Sequence, residues 1–290
     1  MSQELKATII LPTTSDRAPV LPLSVACVLA QELTEFELFI IGDGVDEATR
    51  QTIFQLATQD DRIRFFDHPK HARRGEVYRH AALQEARGEI VAYLCDRDLW
   101  FPNHLSTLYR HLQQFDFATV NLIDVHRSGK FSLRAKPHHY GVVPNLTDAE
   151  TRLGAHKLSS VGHTLAAYRR LPEGWRTTPA GVATDGYMWR QFIEHGGITM
   201  YNDPYPTYLY FKRGDHPGMP SAERAAELRR YVEITQEPAL WRQTIITALG
   251  NSLRNDAIKQ QRMEYNRLLI YGRTPRVAVR KFIRKLLSRN

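Results

Sequence analysis

Four short apolar runs, spaced along the first part of the chain, constrain its fold most. They are Ala7–Leu11, Glu37–Ile41, Arg62–Phe66 and Ile90–Leu94. Runs of this length bounded by turn residues read as buried strands. Leu23–Leu33, Asp46–Gln59 and Glu76–Ala86 lie between them and carry helical spacing, with Asp46 as an N-cap. Strands alternating with helices predict an α/β chain with a mostly parallel central sheet flanked by helices.

In such sheets ligands collect at the carboxyl ends of the strands. Those ends carry Pro12, Thr13 and Thr14, then Asp43, then Asp96-Arg97-Asp98. No G-x-G-x-x-G follows the first strand and no G-x-x-x-x-G-K-[ST] occurs. That weighs against dinucleotide-dependent oxidoreductases and P-loop enzymes. In an extended segment residues i and i+2 share a side, so Asp96 and Asp98 are expected to converge. Two converging carboxylates suit a hard divalent ion, Mg²⁺ or Mn²⁺. The alternative is that Asp98 helps to cap a helix opened by Pro102.

Taken together, these residues resemble a family 2 glycosyltransferase of the GT-A fold. The resemblance is carried by Ile9-Ile10-Leu11-Pro12-Thr13, by Ser24 and Gln31, and by Ile40-Ile41-Gly42-Asp43-Gly44. It continues through Gly75-Glu76-Val77-Tyr78-Arg79-His80, Ala86-Arg87-Gly88-Glu89 and Asp96-Arg97-Asp98-Leu99-Trp100-Phe101-Pro102-Asn103-His104-Leu105. The resemblance implies that Pro12, Thr13, Asp43, Arg79, Asp96 and Arg97 contact a nucleotide sugar, with Asp43 near the base and Asp96 near the ribose. It implies that Asp98 holds Mn²⁺ or Mg²⁺ on the diphosphate, with His216 as a late metal ligand and His163 as a poorer candidate. Read without the resemblance, Asp43 is a turn acid, Arg79 an exposed helix residue and Thr13 a loop hydroxyl. The chain departs from the family pattern at His80, where Asn is usual. It departs again at Arg97, which replaces the middle acid of an Asp-Asp-Asp run. Arg97 either points away from the site or binds the diphosphate and weakens the metal requirement.

Beyond the first half, Asn103–Gln114 reads as a helix, and Phe117–Asp124 and Phe131–Ala135 as a strand pair. Val161–Tyr168 resembles the strand that lines the acceptor side in the family. Thr184-Asp185 opens a helix where the family has Glu-Asp, which implies that Asp185 is the catalytic base of an inverting transfer. The alternative is that Thr184 or Asp185 only caps that helix. Tyr205–Lys212 is strand-like, and the pattern from Ser221 to about Ile270 is helical. The expected organisation is a GT-A-like domain over residues 1–220, with a nucleotide-sugar half (1–105) and an acceptor half (106–220). A C-terminal helical extension follows over 221–290.

The resemblance therefore implies transfer of a sugar from a nucleotide diphosphate donor, most simply UDP-linked, to a hydroxyl of a glycan or glycolipid. A non-catalytic nucleotide-sugar or glycan-binding relative is the alternative, kept open by Arg97 and Thr184. A nucleotidyltransferase fits less well, because no Gly-rich loop with Lys or Arg follows the first strand. The formal net charge is +8, yet much of that excess lies in the tail. From Arg276 onward the chain has six basic residues and no acid. The basic balance thus does not by itself suggest nucleic acid, and the tail alone calls for an anionic partner. On a helix, Val279, Phe282 and Ile283 share a face opposite most of the basic residues. That suits an anionic membrane surface, or alternatively a helix docked on protein. Cys27 and Cys95 match no metal or redox spacing, and no signal peptide pattern is visible. A cytoplasmic protein, peripheral on the inner face of the membrane, is expected.

Overall fold

The computed structural model describes residues 4–133, 141–142, 156–212 and 218–267, together with residues 277, 279, 280 and 283. Its centre is one mixed sheet. Strands β1 (Ala7–Thr13), β2 (Phe36–Asp43), β3 (Ile63–His68) and β4 (Ile90–Tyr93) are parallel, in the order β3-β2-β1-β4. The connections between them are helices α1 (Leu21–Leu29), α2 (Glu47–Gln59) and α3 (Glu76–Gln84). Side chains alternate across β1: Ile9 and Leu11 enter one buried cluster, whereas Ile10 enters the other. Both faces of these strands are covered, which is why they read as continuous apolar runs.

Local chemistry sets the ends of these elements. The Asp46 side chain accepts from the Thr49 N–H at 2.9 Å and caps α2. Buried Glu37 accepts from Thr8 Oγ1 (2.8 Å) and from the Arg87 N–H (2.7 Å), joining β1, β2 and the approach to β4. Gly88 sits in this crossing, where a Cβ would lie 2.3 Å from the Ala7 carbonyl carbon. No larger residue can stand there without moving the first strand.

The sheet continues past β4 through β9 (Val161–Thr164), β6 (Phe117–Val125), β10 (Met200–Phe211) and β5 (Leu99–Trp100). β9 is antiparallel to both β4 and β6, while β10 runs parallel to β6. Register shifts along β10 fall around Pro204 and Pro206, where the missing N–H interrupts the ladder. Short strands β7 (Phe131–Leu133) and β8 (Gly141–Val142) pair with β6 and β10. Helix α4 (His104–Leu112) packs behind β6 and β9. The expected strand Val161–Tyr168 is half helix. Its second part is α5 (Leu165–Arg170), started by Thr164, whose Oγ1 accepts from the Ala167 N–H at 3.0 Å. A hydroxyl cap ahead of Ala-Ala overrides strand continuation.

Helix α6 (Thr184–Glu194) packs on the face of the sheet that carries Ile10, Tyr93 and Phe117, and α7 (Ser221–Gln236) and α8 (Pro238–Arg267) cover the opposite face. Ala225, Leu228, Trp241 and Ala248 are buried in the same cluster as β1 and β5. The Ser252 Oγ and Asn251 Nδ2 bond the backbone of β7. The C-terminal helices are thus docked on the sheet. No helix among the described residues is long and apolar enough to cross a membrane.

Candidate active site

A cleft of about 430 Å³ opens at the carboxyl ends of β1, β2 and β4. Its walls are the β1 end (Pro12, Thr13), the β2 end (Asp43), the loop after β3 (Lys70, Arg73, Arg74) and α3 (Arg79). The loop after β4 (Cys95, Asp96, Arg97) and the first turn of α6 (Thr184, Asp185) complete it. Pro12, Thr13, Asp43, Arg79, Asp96, Arg97 and Asp185, predicted from the sequence, therefore meet in one place. Asp98 is absent from the lining, and His216 lies outside the described residues.

Each wall is held by specific bonds. The Asp43 carboxylate accepts from Lys70 Nζ and, at 2.6 Å, from the His71 N–H. Gly75 starts α3 with φ of +62°, and a Cβ there would touch the Asp43 side chain at 3.0 Å. Glycine is needed both for the left-handed backbone and for this approach. Asp96 Oδ2 accepts from Thr13 Oγ1 (3.2 Å) and pairs with Arg17 Nε (3.0 Å), and its peptide oxygen accepts from Ser24 Oγ (2.9 Å). Gln31, just past the end of α1, bonds the Phe101 carbonyl and the Leu105 N–H and so ties the chain that leads from β5 into α4. Ser24 and Gln31 act on the site through the backbone.

Arg79 is only 5% exposed, so it is not the exposed helix residue of the alternative reading. Its Nη2 donates to the Arg74 carbonyl at 2.9 Å, and its guanidinium lies 4.6 Å from the Trp175 ring centroid. Nε and Nη1 are buried and have no partner among the described residues. Burial lowers its pKa, opposed by the charges of Asp185 and Glu76. Asp185 accepts no hydrogen bond among the described residues, and Ala183, not Thr184 or Asp185, is the N-cap of α6. Burial raises the Asp185 pKa above its ordinary value of 3.8, against the pull of Arg79, Arg74, Lys157 and Arg97. An unpaired carboxylate in a helix's first turn, facing a cleft, can accept a proton from a bound hydroxyl.

The expectation that Asp98 holds a cation does not fit its placement. β4 ends at Tyr93, and the Asp98 N–H donates to the Cys95 carbonyl at 3.0 Å, closing a turn. In a turn the i, i+2 rule of a strand no longer applies. Asp98 is fully buried and faces inward, accepting from Ser159 Oγ (2.6 Å) and from the Phe211 N–H (3.2 Å). Burial lifts its pKa to about 6, partly offset by Arg97 and by those two bonds. Asp96 is committed to Thr13 and Arg17. Among the described residues no group of three or more His, Cys, Asp or Glu side chains could hold a metal ion. Among the described residues the donor set does not fit a divalent cation. His163 is not available as a ligand either: its Nε2 bonds the Tyr93 hydroxyl (2.7 Å) and its Nδ1 the Thr164 carbonyl (3.0 Å).

Two positioning residues escaped the sequence reading. Ser159 bridges the Cys95 N–H (2.9 Å) and the Asp98 carboxylate. Glu76, wholly buried, accepts from the Arg74 N–H (3.0 Å) and the Thr178 N–H (3.3 Å), tying the β3–α3 loop to the segment that enters α6. Arg73 adds bonds to the Thr178 and Pro179 carbonyls. For Glu76 the signal lay in the quoted Gly75-Glu76 pair; for Ser159 there was none.

The sequence profile of glycosyl transferase family 2 matches residues 8–173. The chain belongs to glycosyl transferase family 2. Among its relatives in this family is the GalNAc(5)-diNAcBac-PP-undecaprenol beta-1,3-glucosyltransferase of Campylobacter jejuni. It is 27% identical over 103 residues, covering 36% of this chain and 33% of that protein. The succinoglycan biosynthesis protein ExoW of Rhizobium meliloti is 28% identical over 114 residues, covering 38% of this chain and 35% of that one. The alignments thus span about a third of the length of these curated relatives. Among solved structures, Staphylococcus aureus TarS (residues 1–349, in complex with UDP-GlcNAc) superposes with a TM-score of 0.59 at 16% identity. That match covers 84% of this chain and 70% of that 1–349 chain. The likeness is one of fold, and the family 2 chain has the GT-A arrangement of a curled central sheet, flanking helices and C-terminal helices.

Proposed function

We propose that this protein transfers a sugar from a nucleoside diphosphate donor, most simply a UDP-sugar, to a hydroxyl of a glycan or lipid-linked glycan, with inversion. One observation carries the reading: Asp185, without a hydrogen-bond partner among the described residues, presents its carboxylate to the same cleft that gathers Thr13, Asp43, Arg79, Asp96 and Arg97. The Campylobacter relative is named for glucosyl transfer to an undecaprenol-linked glycan, the Rhizobium relative for succinoglycan biosynthesis, and TarS was solved with UDP-GlcNAc. Those names support a nucleotide-sugar donor and a glycan acceptor.

In this reading residues 1–105 hold the donor, residues 106–220 line the acceptor side, and residues 221–290 are the helical extension. Asp43 meets the base and Asp96 the ribose. Asp185 takes the proton of the acceptor hydroxyl as its oxygen bonds the anomeric carbon. The bond from that carbon to the phosphate oxygen breaks, and the nucleoside diphosphate leaves with the electron pair into the cationic side of the cleft. A single displacement of this kind inverts the anomeric centre. The test is incubation with a panel of UDP-, GDP- and dTDP-sugars and glycan acceptors, with NMR of the new linkage. A glycoside of inverted configuration supports the reading. A product of retained configuration refutes inversion, and nucleotide-sugar binding without any product favours the non-catalytic relative.

The reading extends to the membrane. The basic tail 276–290 would meet an anionic surface on the cytoplasmic side, supported by the exposure of Val277 (51%), Val279 (50%) and Ile283 (46%). Most of this tail, Phe282 included, lies outside the described residues. Sedimentation with phosphatidylglycerol vesicles is expected to pull down the full chain and not a chain ending at residue 275. Equal sedimentation of both would remove the tail's role.

A further inference from the structure

We propose that the guanidinium groups of Arg97 and Arg79 take the place of a divalent cation on the donor diphosphate, so that nucleotide binding here needs no metal. This rests on the donor-cleft reading above and names what holds the diphosphate within it.

Arg97 and Arg79 line the cleft, and three of their nitrogens, Arg97 Nε and Arg79 Nε and Nη1, are buried without partners among the described residues. A buried charged donor without an acceptor is costly, and a phosphate oxygen would relieve it. The charge balance points the same way. Arg17, Lys70, Arg73, Arg74, Arg79 and Arg97 line the cleft against Asp43, Asp96 and Asp185. Two of these carboxylates are already paired, Asp43 with Lys70 and Asp96 with Arg17. The surplus is positive, so the cleft as built attracts an anion and resists a second cation.

Arg97 also stands where the cation was expected. The Cys95–Asp98 turn sends Asp98 inward to Ser159 and Phe211 and leaves Arg97 on the lining. A further guanidinium is near. Arg224, in the first turns of α7, has its pKa lowered by burial first and then by the charge of Arg97. Guanidinium forks match phosphate oxygens in pairs and stay charged at any working pH. They can therefore stabilise a departing diphosphate as a fixed positive charge does.

The experiment is calorimetric titration of UDP, GDP and dTDP into the full chain, in EDTA and then in Mn²⁺ or Mg²⁺. At least one nucleotide is expected to bind in EDTA, with a Kd that metal changes by less than about twofold. Arg97→Ala should weaken that binding by about tenfold or more. Arg97→Lys should weaken it less, and in Asp98→Asn the binding that remains should still respond to metal by less than about twofold. Arg97→Gln replaces Arg97→Ala if the latter shows no cooperative melt. Binding that appears only with Mn²⁺ or Mg²⁺ and is lost in Asp98→Asn would overturn this inference and leave the donor cleft standing. Wild-type affinity in both Arg97→Ala and Arg97→Gln would overturn the role of Arg97. No binding of any of the three nucleotides, with or without metal, would overturn the donor cleft itself and this inference with it.

Discussion

Asp185→Asn is expected to lower kcat by about 10²–10⁴-fold while leaving the donor Kd nearly unchanged. The substitution keeps the shape of the side chain and its place in the first turn of α6, and removes only the capacity to take a proton. The wild-type pH profile gives a second reading. A general base works when ionised, so activity is present above its pKa and is lost as pH falls through it. Burial raises the Asp185 pKa above 3.8, so the acid limb of kcat/KM should lie higher than an ordinary aspartate would place it. The neighbouring charges of Arg79, Arg74, Lys157 and Arg97 limit the rise. Steady-state rates of nucleotide release across pH, in wild type and variant, check both points. A variant rate within about tenfold of wild type would rule out Asp185 as the base.

Trp189→Ala is expected to cost about 3–5 kcal/mol of stability, measured by denaturant unfolding. Trp189 is fully buried and lies one turn along α6 from Asp185. Its ring meets Tyr93 and Trp175 edge-on at 5.4 Å and Phe117 at 5.7 Å. Truncation leaves a cavity among rigid rings that cannot collapse into it. A domain of this kind is stable by roughly 5–15 kcal/mol, so the loss is a large fraction of the total. The effect should reach the cleft as well, because Trp175 is the ring on which the Arg79 guanidinium rests. Trp189→Phe keeps an aromatic ring in the site and should lose less. A loss below about 1 kcal/mol for Trp189→Ala would mean that α6 is not anchored by this cluster.

Much of this was legible in the chain, and the exceptions have physical causes. The first four strands show as apolar runs because each is buried on both faces, and Asp46 announces α2 because its cap bond is local. Thr13, Asp43, Asp96 and Arg97 were placed together because the ends of neighbouring parallel strands must meet. Arg79 and Asp185, on helices, were added only by the resemblance. The direction of Asp98 was not legible. It depends on bonds to Ser159 and Phe211, 61 and 113 residues away, and on a turn that replaces strand geometry. Val161–Tyr168 misled for the opposite reason: a local cap at Thr164 decided it within an apolar run that suits either element. The Lys70–Arg74 loop showed no pattern, because its basic residues acquire meaning only where Glu76 and Thr178 fold it over the cleft.

The central claim is that this cleft holds the donor nucleotide, and a crystal structure of the protein soaked with UDP in EDTA tests it most directly. The expected result is a nucleotide with its base beside Asp43, its ribose at Asp96 and its diphosphate oxygens within hydrogen-bond reach of Arg97 and Arg79. A nucleotide bound elsewhere on the sheet, or one whose diphosphate faces away from those two guanidinium groups, would contradict it.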